Sequence, residues 1–105
     1  MGTIHYGDTA RREITIDDRA LAHVKRTIID RLRRHESMML CWTAEGQGDS
    51  SVWLHPAIAL YFQFDDTEPH DLNRLWLEDM ARAASSLRGL YVMPEPDDMS
   101  STGFR

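Results

Sequence analysis

The stretch SVWLHPAIALYFQF (residues 51–64) decides the fold, because apolar and other side chains alternate through its whole length. The even-numbered positions are all apolar: Val52, Leu54, Pro56, Ile58, Leu60, Phe62 and Phe64. A period of two is typical of a β-strand with one buried face. The pattern therefore predicts an extended segment whose apolar row faces the core, with Trp53, His55 and Tyr61 on the opposite face.

A proline interrupts this segment at its centre. Fully extended, the segment would span about 46 Å, whereas a typical strand has roughly five or six residues. Pro56 also supplies no N–H group to a sheet ladder. We therefore expect a bend, a bulge or a short break at His55-Pro56. We interpret this pair as a feature of geometry rather than as a reactive site.

Amphipathic helices are predicted on both sides of the segment. Apolar residues recur three or four positions apart at Leu21, Val24, Ile28 and Leu32, and again at Leu72, Leu75, Trp76, Met80, Ala83 and Leu87. Asp17 is the expected N-cap of the first helix, and Gly89 is the expected stop of the second. Asn73, Arg74 and Glu78 are expected on the outer face of the second helix.

Short alternating runs complete the predicted fold. TIHYG and REITID predict a hairpin, SMMLCWTA a third strand, EGQGDS a loop, and LYVM a last strand. The order β-β-α-β-β-α-β predicts an α+β fold, a two-layer sandwich with two helices on one face of a mainly antiparallel sheet. We expect residues 1–96 to form this single domain and residues 97–105 a disordered acidic and polar tail.

Size, charge and cysteine content limit the classes of function. The 105 residues are 42% hydrophobic, which is enough for one core without metals or disulfides. The formal net charge of -5 argues against a protein coated in basic residues for nucleic-acid binding. Cys41 is the only cysteine, and no apolar run approaches the roughly 18 to 20 residues of a membrane span. We therefore expect a cytoplasmic protein without membrane contact.

No catalytic or metal-binding pattern emerges from the residue spacing. The five histidines and Cys41 form no H-x-x-x-H or C-x-x-C pair. The Asp pairs at 17/18, 65/66 and 97/98 lie at element boundaries, where Asp commonly caps helices or forms turns. Cys41 lies within a predicted strand, where a thiol behaves as a small apolar group. We therefore expect no enzyme activity, no catalytic residue, no metal and no cofactor.

Three segments of the chain resemble a family of small actinobacterial proteins of unknown function. They are DDRALAHVK with LRRHES, WLHPAIAL, and LNRLWLEDMARAASS with GLYVMPEP. Members of that family often carry the label ATP-dependent DNA ligase, which implies at most a relation to DNA repair. A nucleotidyl-transferring ligase needs a lysine nucleophile in a K-x-D-G setting. Lys25 is the only lysine here, and Arg26, Thr27 and Ile28 follow it.

Two surfaces are predicted to meet a partner. The first is the open sheet face with Trp53, His55 and Tyr61, which would pair with a second copy or with another protein. The second is the basic end of helix one, where Arg19, Lys25, Arg26, Arg33 and Arg34 could contact nucleic-acid phosphates. The same residues could instead complement the helix dipole or the acids at Asp65, Asp66, Glu68 and Asp71. The sequence therefore predicts a non-enzymatic interaction domain that forms a homodimer, with a nucleic-acid or DNA-repair accessory factor as the alternative.

Overall fold

A computed structural model describes residues 1–8, 12–44, 46 and 48–97. Their elements are β1 (Gly2–Tyr6), β2 (Arg12–Ile16), α1 (Asp18–Leu32), β3 (Met38–Ala44), β4 (Gly48–Leu54), β5 (Leu60–Gln63), α2 (Arg74–Ala84) and β6 (Leu90–Tyr91). The predicted α+β class and order are confirmed, with the fourth predicted strand divided into β4 and β5. Of the predicted tail, residues 98–105 lie outside the described residues. No helix in the described part of the chain is long and apolar enough to cross a membrane.

The strands form two small sheets, each named here by its central strand. The β1 sheet has the order β2-β1-β5 and is antiparallel throughout. The β3 sheet has the order β4-β3-β6, with β4 antiparallel and β6 parallel to β3. The segment 51–64 therefore leaves one sheet at Leu54 and enters the other at Leu60. The break expected at His55-Pro56 is where the chain changes sheets.

One hydrophobic core joins both sheets to both helices. Ile4 of β1, Leu21 of α1, Leu40 of β3 and Met80 of α2 are all fully buried within it. The predicted inner face of α1 is confirmed, since Leu21, Val24 and Ile28 are buried. The predicted N-cap of α1 is also confirmed, because the Asp17 carboxylate accepts the first backbone N–H groups of the helix.

The second helix is shorter than its apolar pattern predicts. It begins at Arg74 and ends at Ala84, so Leu72 and Leu87 lie outside it and are exposed. Asn73 does not lie on an outer face: it is the N-cap, is 2% exposed, and accepts a hydrogen bond from the Trp76 N–H at 3.2 Å. The prediction that Gly89 ends the helix is wrong, because the helix is capped four residues earlier. Periodicity alone does not distinguish the last helical turn from the turn that follows it.

A network of polar residues, buried at His23 and Asn73 and partly exposed at Arg19 and Glu95, fastens the segment after β6 to both helices. The Nδ1–H of His23 donates to the Arg19 carbonyl at 2.8 Å, and its Nε2 accepts the Asn73 N–H at 2.8 Å. Arg19 makes a two-point ion pair with the Glu95 carboxylate, at 2.9 and 2.8 Å. The hydrogen bonds that Arg19 and then the Asn73 side chain donate to the Glu95 carboxylate lower the pKa of Glu95 to about 2. Burial lowers the pKa of the His23 imidazole, whose residue is 0% exposed.

Candidate interaction surface

The alternation predicted for residues 51–64 is visible in their exposure on both sides of the break. The odd-numbered residues between 51 and 63 are all exposed, and the even-numbered ones from 52 to 64 are buried or half-buried except Pro56. Trp53 is 51% exposed and Tyr61 is 60% exposed. Both aromatic side chains therefore lie on the solvent side, as the sequence pattern predicts. They do not share one open sheet face, however, because Trp53 belongs to the β3 sheet and Tyr61 to the β1 sheet.

The exposed residues of this segment carry no formal charge. Residues 50–64 contain no Asp, Glu, Lys or Arg, and we call them the charge-free strip. The chain as a whole is 28% charged, so a stretch of this length would hold about four charged residues on average. Depletion of charge together with exposed aromatic residues is typical of the centre of a protein–protein interface. The strip is therefore the strongest candidate for a binding surface.

Neighbouring side chains hold the strip in place. The Tyr6 hydroxyl donates to the Trp53 carbonyl at 2.6 Å, which ties the end of β4 to the β1 sheet. The Tyr61 ring packs against the His5 ring, with centroids 5.1 Å apart. His5 Nε2 in turn lies 3.0 Å from Gln63 Oε1. Because these contacts already order the surface, a partner would immobilise few additional side chains on binding.

His55 takes part in the turn that links the two sheets. Its Nδ1 accepts the N–H of Ala57 at 3.0 Å, and its carbonyl accepts the N–H of Ile58 at 2.9 Å. The His55 ring and Pro56 are both exposed. The turn lies between Trp53 and Tyr61 along the chain, so it forms the middle of the charge-free strip.

The open edge of the β1 sheet at β5 differs from its other edge at β2. The inward residues of β2, Ile14 and Ile16, are only 1% and 6% exposed. The inward residues of β5, Leu60 and Phe62, are only half-buried. Strand β2 also carries the charged Glu13, and charged side chains protect an edge against pairing with another strand. The core is therefore closed at β2 and incompletely covered at β5.

The basic residues predicted to meet nucleic acid do not form one patch. Arg19 lies in the first turn of α1 and Arg33 caps its other end, about 21 Å away at 1.5 Å per residue. Lys25 and Arg26 lie between them, and the Lys25 ammonium lies 5.5 Å from the centre of the Phe64 ring. The structure brings Arg26, Arg33 and Arg34 together around Asp30.

Acidic partners occupy three of these five basic residues. The pairs are Arg19 with Glu95 at 2.8 Å, Arg26 with Asp30 at 3.2 Å and Arg34 with Glu36 at 3.6 Å. These partners are not the carboxylates of Asp65, Asp66, Glu68 and Asp71 that the sequence suggested. Other nearby acids nevertheless pair with three of the five basic residues. Exposed pairs of this kind contribute little stability, typically about 0.2–1 kcal/mol.

Among the described residues, a cluster of metal-ligand type lies where α1 meets the segment after β5, and residue spacing does not reveal it. Asp18, Asp66 and His70 each offer one ligand atom, and these atoms lie within 4.8 Å of one another. His70 Nε2 is buried without a hydrogen-bond partner in the described residues and lies 3.5 Å from Asp66 Oδ1. Asp18, however, is already used to hold the turn after β5, because it accepts the N–H groups of Asp65 and Asp66 at 3.1 and 3.2 Å. Burial acts to raise the pKa of Asp18, but these bonds outweigh it and hold the pKa below its usual value.

A cleft of about 740 Å³ lies beside the β3 sheet. Cys41, Arg88 and Tyr91 line it, and each is engaged within the fold. The Cys41 thiol donates to the Arg88 carbonyl at 3.0 Å, and the Arg88 guanidinium lies 4.1 Å from the centre of the Tyr91 ring. These contacts favour the interpretation of Cys41 as a packed residue of the strand.

Residues 1–95 match the family described as a domain of unknown function (DUF7882), and the chain belongs to that family. The resemblance to a family of unknown function is thereby confirmed, while the actinobacterial source and the ligase label of that resemblance stay predictions. No curated protein and no solved structure matches the chain. Arguments about function therefore depend on the residues and geometry described above.

Proposed function

We propose that this member of the DUF7882 family is a non-enzymatic interaction domain that self-associates through the charge-free strip. The observation that carries the proposal is the exposure of both Trp53 and Tyr61 in a segment, residues 50–64, that contains no charged residue. Removing apolar surface from water gains about 25 cal/mol per Å². No charged group in the strip would have to be desolvated against that gain.

The size of the strip agrees with a contact that a few residues dominate. A stable interface buries about 800 Å² on each partner, and most of its binding energy comes from a handful of residues, Trp and Tyr foremost. A buried aromatic side chain covers about 150–250 Å². Trp53 and Tyr61 can therefore supply the anchors, while the turn between them and the β5 edge supply the remaining area.

Replacing Trp53 with serine is expected to weaken the dimer about 30-fold, which corresponds to a loss of about 2 kcal/mol for an interface anchor. The Trp53 side chain is half exposed, so its removal leaves no cavity in the core. Sedimentation equilibrium of the wild type and of Trp53→Ser, over the same concentration range, measures the two dissociation constants.

Leu87→Ser is the matched control for this change. Leu87 is a fully exposed apolar residue at 105%, and it lies in the turn after α2, outside the strip. Its replacement should leave the dimer unchanged. Equal weakening by both substitutions would indicate unspecific hydrophobic association. A wild type that sediments as a monomer at every concentration would refute the proposal.

Nucleic-acid binding by α1 is the alternative, and the pairing of its arginines argues against it. We expect no affinity tighter than about 10⁻⁴ M for double- or single-stranded oligonucleotides at about 150 mM salt, the weak end of unspecific binding. Fluorescence anisotropy with labelled oligonucleotides measures this. Tighter binding that falls steeply with salt and is lost in Arg33→Ala/Arg34→Ala would favour the alternative over self-association.

A further inference from the structure

We infer that strand β5 pairs with β5 of a second copy, antiparallel and about a twofold axis at Phe62. This inference rests on the proposed function and specifies the geometry of the contact. The two β1 sheets would then join into one continuous sheet, with the order β2-β1-β5-β5-β1-β2 across the axis. The free edge of β5 indicates a partner strand, its lack of charge favours this edge over the others, and its side-chain alternation selects the register.

The free edge of β5 calls for an extended partner. Strand β5 pairs with β1 along one side, with Tyr61 opposite His5 and Phe62 opposite Ile4. The backbone N–H and C=O groups on its other side point away from the sheet, because β5 is the last strand in that order. Another strand satisfies such a row of groups directly, as in sheet augmentation by peptides.

Edge β5 suits this pairing better than β2 or β4. The inward side chains of β2 are already buried, so a partner strand would cover little additional apolar surface there. Strand β4 begins at Gly48 and Asp49, and a charge at a strand edge opposes pairing. Strand β5 has the sequence LYFQ without charge, and its inward residues Leu60 and Phe62 remain partly exposed.

Side-chain alternation selects the register. Residues directly opposite each other in a sheet must point to the same face. An axis at Phe62 sets that residue against the partner's Phe62, sets Leu60 against the partner's Phe64, and sets Tyr61 against the partner's Gln63. Apolar residues then meet on the inner face, and a phenol meets an amide on the outer face.

The neighbouring registers are less favourable. An axis at Tyr61 would set Phe64 against the partner's Ile58, whose N–H is already bonded within the turn. An axis at Gln63 would set Tyr61 against the partner's Asp65, which brings a charge to the interface. With the axis at Phe62, the paired residues are 60 to 64 and include no charged residue, while Asp65 lies beyond them, opposite the partner's Ala59. Within residues 60 to 64 the edge is complementary to itself. This complementarity is the reason for assigning a second copy as the partner.

Cysteine cross-linking tests the pairing. Tyr61→Cys and Gln63→Cys are each introduced into a Cys41→Ser chain, and both positions are exposed, so the fold should tolerate them. Disulfides need Cα atoms about 4.4–6.8 Å apart, which directly opposed residues satisfy and residues offset by two positions do not. Mild oxidation of an equal mixture should therefore yield about tenfold more cross-linked heterodimer than either variant yields alone. Leu87→Cys in the same background serves as the negative control.

Intact mass and non-reducing electrophoresis distinguish the products. Efficient cross-linking of Tyr61→Cys with itself would overturn the axis at Phe62. If the wild type and the mixture of Tyr61→Cys and Gln63→Cys both sediment as dimers but the mixture fails to cross-link, the strand pairing is overturned and the proposed function stands. A wild type that is monomeric at every concentration would refute both the strand pairing and the proposed self-association.

Discussion

Replacing Gly89 with alanine is expected to lower the free energy of unfolding by about 3–5 kcal/mol. Gly89 has a φ of +92°, and a Cβ atom at this position would lie 2.6 Å from Met39 Cβ and 2.7 Å from the Met39 carbonyl oxygen. Met39 belongs to the central strand of the β3 sheet, so its backbone cannot move aside without disturbing the pairing with β4. Urea unfolding followed by circular dichroism measures the loss.

Gly7→Ala separates the two causes of this loss. Gly7 has a similar φ of +89°, but no atom of the described residues lies within 4 Å of a Cβ atom placed there. Alanine at this position should therefore carry only the backbone cost of a left-handed conformation, about 1–2 kcal/mol. If both substitutions destabilise the protein equally, the close approach to Met39 is not the cause.

Replacing His23 with leucine is expected to cost about 3 kcal/mol at about pH 7.5. The substitution leaves the buried N–H of Asn73 without its acceptor, and an unsatisfied buried donor costs about 1–3 kcal/mol. It also removes the contact between the His23 and Trp76 rings, whose centroids lie 4.4 Å apart, worth about 0.5–1.5 kcal/mol. Urea unfolding of the variant and of the wild type gives the difference.

His70→Leu is the matched control, because His70 Nε2 has no hydrogen-bond partner to lose among the described residues. Replacing His70 with leucine should lower the free energy of unfolding by less than about 1 kcal/mol.

The pH dependence of unfolding provides a second check on His23. Burial holds the pKa of His23 below its ordinary value of 6.5, so the stability that the neutral ring contributes is fully present above pH 6.5 and is lost as the pH falls. The difference in the free energy of unfolding between wild type and His23→Leu should therefore narrow below pH 6.5. A difference that widens would contradict the assignment of a neutral ring.

The sequence predicts local geometry well at α1 and in residues 51–64. Each of these has a regular period, and a regular period reports which face of an element is buried. The period does not indicate which other strand pairs with that element in the sheet. The expected break at Pro56 is present, but the change of sheet at that break is set by the pairing of β5 with β1 and of β4 with β3. Strands β3 and β4 are consecutive, but β1 and β5 lie far apart in sequence, where no local pattern applies.

The polar contacts around α1 were not predicted, for a related reason. His23 meets Asn73, and Asp18 meets Asp66, so each pair joins residues from distant parts of the chain. Residue spacing along one element cannot reveal such pairs. One signal was available: Asn is among the preferred N-cap residues, and Asn73 comes shortly before Leu75, Trp76 and Met80 of the helical pattern. Giving capping more weight than periodicity would have placed Asn73 correctly.

The chain alternates between its two sheets, and this alternation limits which recombined genes can encode a well-packed domain. The β1 sheet uses residues 2–16 and 60–63, whereas the β3 sheet uses residues 38–54 and 90–91. A genetic crossover anywhere between residues 17 and 89 would give at least one sheet strands from two parents. Recombination between diverged genes would then mix side chains that had not been selected to pack together. Evolution of this domain should therefore proceed through point substitutions rather than through exchange of fragments.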